Sequence, residues 1–442
     1  MRLIFIFLML AGAAEAAEFR VTLKAAEEGA LASDGQYKSA RFAAGAAEAA
    51  AAAVSSLLYP RLSLEGSLRY NHVVSEISMP AALGGGRPLG DNWNYSVGPS
   101  AYWALDTGAL RYGRDAARRT AAGRSAEAEH ARRQALLKAR TVYFALQLAL
   151  EKVYLIGENL QLSESQLKDI ELGVKAGARS RLDGIRARQE TLARRRDLLR
   201  ARSDLSAALL DFSLATGVTV PEGEGLPLDA RLAGRAYQPA PGPLVRAEPY
   251  EEIIGRLLPA AEAGPGKALP SVAAFSEASA AALAAASAYK AERLPRLTLG
   301  ARSSLDYPNG PNLYSFVQNS ASLSLNLPLF ESGRLADRER ESRLNAQGAA
   351  ERRDEAARAA SAEHAKARAA YGALLEEQAI NIEAVDDAAE AARLAYEAYK
   401  AGGGTWLDVE SANLKALQAR TTAATANAEL LMRLARLDSL SD

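Results

Sequence analysis

Cysteine is absent from all 442 residues, which excludes disulfides, thiolate metal sites and a cysteine nucleophile. Methionine numbers only four, the initiator included, too few for a soft-metal relay. Neither sign of charge is in surplus, with Lys+Arg and Asp+Glu both at 53, so no basic excess points to nucleic acid. The three histidines, His72, His130 and His364, are isolated and read as surface or packing residues rather than ligands. No Walker loop and no catalytic constellation occurs, so no enzymatic, metal or cofactor site is expected.

Long apolar runs are also missing. Residues 3–10 follow Arg2 and precede Ala14-Glu15-Ala16, the layout of a signal peptide over 1–16 with cleavage near Ala16 or Ala17. That run is too short to span a bilayer, and no other stretch reaches the roughly 20 apolar residues of a membrane helix. With no cysteine after it, lipid attachment is excluded. The sequence predicts an exported chain that, if it enters a membrane, does so without helices.

What is present occurs twice. Lys175-Ala176-Gly177-Ala178-Arg179-Ser180-Arg181-Leu182-Asp183 returns 225 positions later as Lys400-Ala401-Gly402-Gly403-Gly404-Thr405-Trp406-Leu407-Asp408. Each copy closes a unit of the same order: helix, alternating segment, loop, alternating segment, very long helix, turn, helix. Such self-similarity predicts one architecture built from two halves. The first repeat covers 17–217, with strands at 61–74 and 93–105, a long helix at 109–172 and a helix at 181–216. A connector over 218–270 carries nine prolines and has little regular structure. The second repeat covers 271–442, with strands at 296–307 and 314–329, a long helix at 334–400 and a helix at 405–440. The opening helix of the first repeat is expected over about 18–58.

The four segments alternate with a strand period of two. Leu62, Leu64, Leu68 and Tyr70 oppose Ser63, Glu65, Ser67 and Arg69; Leu323 and Leu325 oppose Ser322, Ser324 and Asn326. Each segment has about the length that a tilted strand needs to cross a bilayer, and Trp93, Tyr95, Trp103, Tyr307 and Phe330 cluster near strand ends, where interfacial girdles lie. A half-buried soluble sheet alternates in the same way. Four strands cannot close a membrane barrel, and open edges are not tolerated in lipid, so either the sheet is soluble or several chains share one barrel. The long helices lack proline, run to roughly 95 Å at about 1.5 Å per residue, and carry seven-residue apolar spacings that predict coiled-coil packing.

Here the chain resembles the TolC-like family of outer-membrane efflux proteins. The resemblance rests on Leu58-Tyr59-Pro60-Arg61-Leu62 and Leu294-Pro295-Arg296-Leu297 at helix-to-strand entries. It rests also on Leu327-Pro328-Leu329-Phe330-Glu331-Ser332-Gly333-Arg334-Leu335 at a strand exit, with a weaker copy at 103–110, and on the two turns. It implies an α+β membrane protein and homotrimer, in which four strands per chain form a twelve-stranded β-barrel in outer-membrane lipid. A long α-helical coiled-coil barrel would continue it into the periplasm. It implies an exit duct for drug efflux or type I secretion, with a periplasmic adaptor and an inner-membrane pump or ABC exporter as partners. Gly177, Leu182, Gly402 and Leu407 would be the adaptor-docking tips. Asp408 and Asp183 would form a lumenal acidic ring, although Asp in the first turn of a helix is explained equally by the helix dipole. A second acid one helical turn on is replaced by Ser411, and Glu410 faces elsewhere. Tyr399 matches a latching tyrosine with Asp183 at its partner's place, while the expected latch arginine is Gly404.

One charge pattern stands apart from the resemblance. Residues 179–202 hold nine arginines against three acids, and 376–410 hold nine acids against two bases. Solvated coiled-coil exteriors account for this; the sharper reading is that the two stretches pair and hold the turn end shut. The rival to the duct is a secreted coiled-coil scaffold without a channel. An exported enzyme is disfavoured by the lack of any catalytic cluster.

Overall fold

Alternation becomes a sheet with two unlike faces. The computed structural model describes residues 19–78, 80, 86–106, 108–219, 245–266 and 269–441; the expected signal peptide lies outside them, as does most of the connector. In chain order the elements are β1 (Phe19–Val21), α1 (Leu23–Ser33), α2 (Gly35–Ser56), β2 (Arg61–Tyr70), β3 (Glu76–Ile77), β4 (Arg87–Pro88), β5 (Trp93–Leu105), α3 (Ala109–Lys175) and α4 (Arg181–Thr216). There follow β6 (Val245–Ala247), α5 (Tyr250–Leu257), α6 (Pro259–Glu262), α7 (Pro270–Ala291), β7 (Arg296–Tyr307), β8 (Phe316–Asn326), α8 (Arg334–Ala401) and α9 (Trp406–Leu440). They divide between two compact units, one within Met1–Ser39, His130–Leu269 and Arg358–Asp442, the other within Ala40–Glu129 and Pro270–Ala357.

The second of these units holds an antiparallel sheet in the order β2-β5-β7-β8. Register places Leu62 opposite Ala101, Ala101 opposite Ala301 and Ala301 opposite Ala321; Trp103, Leu299 and Leu323 form a parallel row. The whole apolar set thus shares one face, and that face is bare. Leu62, Leu64, Leu68, Leu323 and Leu325 are 64 to 80% exposed. The opposite face is polar and cross-linked: the Ser100 hydroxyl donates to Glu65 at 2.8 Å, Ser96 to Asp306, and Arg302 to the Ser96 oxygen at 2.7 Å. Gly98 is required at its position, because a Cβ there would lie 2.0 Å from the Ser303 carbonyl oxygen. Aromatic pairs brace the hairpin end, Tyr70 against Trp93 at 5.0 Å and Tyr95 stacked on Tyr307 at 5.2 Å. At the other end the Trp103 indole donates to the Leu58 carbonyl at 3.0 Å.

In the same unit α7 departs from expectation, since it is long and apolar enough to cross a membrane by length and composition. Half of its 22 residues are alanine, which raises mean hydropathy without bulky side chains. Small residues let it approach its neighbours closely: Arg119 of α3 pairs with Glu277 at 3.2 Å, and Ser279 donates to the Ala346 carbonyl of α8 at 2.9 Å.

The single helix expected over 18–58 is instead β1 followed by two helices, α1 and α2. Asp34 causes the break. Its backbone is extended, and its carboxylate accepts from the Tyr37 N–H at 2.7 Å, an N-cap bond that competes with helix continuation. β1 pairs in parallel with β6 over a core of Val21, Leu23, Tyr143, Phe144, Phe212, Ile253 and Leu431. Tyr143 ties the core together: its hydroxyl donates to the Val21 carbonyl at 3.1 Å and accepts from the Glu248 N–H at 2.9 Å. Tyr143→Phe would leave both backbone groups unpaired in a dry site, so we expect a loss of about 2 kcal/mol, read as a lowered thermal midpoint.

Candidate functional site

The two repeated turns are built alike from the backbone up. At the first, the Ala178 N–H donates to the Gly173 carbonyl at 2.8 Å and the Gly177 N–H to Val174 at 3.1 Å. At the second, Gly403 donates to Ala398 at 3.0 Å and Gly402 to Tyr399 at 3.1 Å. Each is a Schellman closure, whose pivot residue must be left-handed; Gly177 has φ +73° and Gly402 φ +85°. Three residues on, Ser180 and Thr405 cap the returning helices by accepting from the N–H of Asp183 and Asp408.

The two aspartates then differ. The Asp408 carboxylate reaches back to accept from the Thr405 N–H at 3.0 Å and from its hydroxyl at 2.6 Å, completing a capping box. Those bonds, the hydroxyl's first, hold the Asp408 pKa below the usual carboxylate value. Asp183 makes no such return bond among the described contacts. Leu182 and Leu407 are 54 and 56% exposed beside them.

Behind the turns sits an apolar plug of Ile170, Ala187, Tyr399, Trp406 and Val409. Trp406 is fully buried and meets Tyr399 edge-on at 5.5 Å. Tyr399 and Asp183 are neighbours: burial first, then the Asp183 carboxylate, raises the Tyr399 pKa, while Arg179 opposes them. The Tyr399 hydroxyl nevertheless has no hydrogen bond of normal geometry among the described residues. No arginine stands at 404, and one reaches Tyr399 from the other turn. Arg179 lies 4.3 Å over the Tyr399 ring, a cation–π arrangement, and donates to the Lys400 carbonyl at 2.9 Å. Tyr396 donates to Asp169 at 2.8 Å beneath the Lys400 ammonium; burial, then that carboxylate, raises its pKa.

A buried polar layer lies one to two helical turns above the plug. Ser163 and Thr191 share a hydrogen bond at 2.9 Å, and Asn413 donates to Gln166 at 3.0 Å. Glu190 is 4% exposed, and its Oε2 has no hydrogen-bond partner among the described residues. Burial, reinforced by Glu410 and opposed by Arg194, pushes the Glu190 pKa up to about 7. Glu190, Thr191 and Arg194 are three polar side chains on the inward face of an arginine-rich helix. Their spacing from buried Ala187 at i+3, i+4 and i+7 is the sequence signal that could have found them.

Arg195 meets Glu164 at 2.7 Å and Arg420 meets Glu158 at 2.8 Å, neither of them a pair between the 179–202 and 376–410 stretches. Arg393 is bound by Glu390 and Glu397 of its own helix. No ion pair joins the 179–202 arginines to the 376–410 acids among the described residues.

Two comparisons place this architecture. A profile described as outer membrane efflux protein matches residues 26–218 and 268–441. The fold is similar to that of the outer membrane protein VceC from Vibrio cholerae, with 19% identity, a TM-score of 0.71, and 95% of each chain covered. It is similar also to the open state of the MtrE outer membrane channel from Neisseria gonorrhoeae, with 21% identity, a TM-score of 0.70, and 95% of this chain and 88% of that one covered. The CmeC outer membrane channel from Campylobacter jejuni matches at 15% identity and a TM-score of 0.69, covering 95% and 86%. At these identities the solved structures bear on the fold. No curated protein matches the sequence.

Proposed function

The chain belongs to the outer membrane efflux protein family, and from that membership we propose that it is the outer-membrane exit duct of an efflux or type I secretion assembly. One observation carries the reading: a four-stranded sheet whose apolar face is bare and whose polar face is cross-linked by hydrogen bonds of its own. A soluble scaffold would cover such a face, because an exposed apolar patch of this size marks an interaction surface. Lipid on one side and an aqueous lumen on the other suit both faces.

Three copies complete the structure. Among the described residues β2 and β8 each have an unpaired edge, and edges cannot face lipid. Joining β8 of one copy to β2 of the next closes twelve strands into a barrel. The helices then extend into the periplasm as a coiled-coil barrel, from the two-repeat chain that follows signal-peptide removal. Closure at the turn end falls to the Tyr399 and Trp406 plug, with Asp183 and Arg179 latching Tyr399 across the two turns. Three copies each of Asp183 and Asp408 would set an anionic ring that favours cations. The depressed pKa of Asp408 keeps that ring charged well into the acid range. The exposed Leu182 and Leu407, beside pivots Gly177 and Gly402, are the surface offered to a periplasmic adaptor. Energy comes from an inner-membrane pump or ABC exporter.

The test is direct. The protein should fractionate with outer membranes, run as a trimer that resists mild detergent denaturation, and conduct in planar bilayers with cation preference. A freely soluble, non-conducting product would overturn the duct in favour of the scaffold.

A further inference from the structure

A cleft opens between α2 and α3 in the unit that carries the sheet. It has a volume of about 520 Å³, and Glu48, Ala51, Ala52, Ser55, Tyr59 and Arg118 line it. The α2 members recur at three- and four-residue steps, so they form one stripe of that helix. Alanine and serine fill most of the stripe, and their small side chains leave the space open. Two opposite charges face the cleft unspent. Arg119, next along α3, is taken by Glu277 at 3.2 Å. Arg118 and Glu48 are exposed and hold no ion pair among the described residues. The Ser55 hydroxyl donates to the Ala51 carbonyl at 2.8 Å, which leaves its oxygen able to accept.

The cleft continues the bare face of the sheet. Trp103 belongs to that face, in a row with Leu299. Its indole donates to the Leu58 carbonyl, so the turn that carries Tyr59 is drawn to the same side. Tyr59, Tyr112 and Phe330 are 69, 47 and 86% exposed near the strand–helix junctions, a band of aromatics of the kind that sits at headgroup level. Arg118 comes six residues after Tyr112, roughly 9 Å further from the sheet at about 1.5 Å per residue. Glu48 comes eight before Ser56, roughly 12 Å further by the same measure. Helical side chains lean toward their own N-terminus, which tilts Arg118 back toward the band and Glu48 away from it. Moving outward from the sheet, a cation is met first and a carboxylate second.

We propose that this cleft seats the headgroup of a phospholipid with a primary ammonium, an ethanolamine phospholipid of the periplasmic leaflet. Its phosphate meets Arg118. Its ammonium, the outermost group, meets Glu48 and the Ser55 oxygen, while the acyl chains run up onto the apolar face beside Tyr59 and Trp103. Charge order decides the lipid: a headgroup with an anion alone would leave Glu48 unanswered, and one with a quaternary ammonium has no N–H to donate. The inference rests on the membrane seat proposed above and names a lipid for it.

The purified protein in detergent is titrated with phosphatidylethanolamine or with phosphatidylglycerol, which has the phosphate without the ammonium. Native mass spectrometry counts the bound lipid. Phosphatidylethanolamine should bind about fivefold more tightly, the scale of one partly exposed charge pair. Glu48→Gln should bring it down to the phosphatidylglycerol level, and Arg118→Gln should weaken both lipids. Equal binding of the two lipids, a preference that survives Glu48→Gln, or no loss in Arg118→Gln would each overturn the site. Soluble glycerophosphoethanolamine at equal concentration should not compete; if it does, the ligand is a free headgroup and not a membrane lipid. Flotation with vesicles of the same lipids separates the two levels of the reading. Protein that inserts without a lipid preference loses the site alone, whereas protein that stays in solution loses the membrane seat and the site with it.

Discussion

Leu64→Arg is expected to abolish accumulation of the trimer in the outer membrane, while Ser67→Arg three residues away leaves it intact. Leu64 lies near the middle of β2, on the bare apolar face, and is 76% exposed in the single chain. An arginine near the bilayer midplane on the lipid face costs roughly 2–4 kcal/mol. Three copies would bring that to roughly 6–12 kcal/mol per trimer, on the scale of the whole stability of a folded domain. Ser67 is opposite Ser96 on the polar face, where a charge meets water in the lumen, so its effect should be confined to ion selectivity. Heat-modifiable gel mobility of outer-membrane fractions reads both variants. Equal insertion of the two would mean that the apolar face does not meet lipid.

Glu190→Gln should remove a pH dependence of the turn end. Glu190 faces Glu410 from α9 and Arg194 on its own helix, within the layer formed by Ser163, Gln166, Thr191 and Asn413. Its pKa rises from 4.5 to about 7 on folding, so the folded chain holds the proton more tightly than the unfolded one. The stabilisation from protonation is full below about pH 4.5 and is lost as pH rises through about 7. The difference of about 2.5 units corresponds to roughly 3 kcal/mol at 1.36 kcal/mol per unit. Hydrogen exchange at 163–194 and 395–413, corrected for its intrinsic pH dependence, should therefore quicken between pH 5 and 8. In Glu190→Gln that quickening should vanish, with protection at pH 8 close to that of the native chain at pH 4.5. A wild-type profile already flat over this range would exclude Glu190 as a titrating group.

The strands were legible because a period of two is a local property: Leu62 and Ser63 point apart whatever surrounds them. The turns were legible for a similar reason, since Gly177 and Gly402 occupy a backbone conformation that other residues rarely adopt. Asp34 was not, because its cap bond breaks a run of alanine and other good helix formers that periodicity alone carries straight through. Glu190 was hidden among nine arginines, whose average says exposed helix while one face of that helix is inward. Nor could spacing reveal that Arg179 of the first turn covers Tyr399 of the second, which depends on α3 and α8 ending side by side.

By itself, then, the sequence determined the long helices and the four sheet strands, their duplication, the two chemistries of each strand and the pivots of both turns. All of these follow from torsional preference and periodicity within a few residues. Tertiary structure decided which face of the sheet was left bare and which guanidinium reached the buried tyrosine. Those outcomes depend on residues up to some 220 positions apart meeting in space, and no local rule encodes such a meeting.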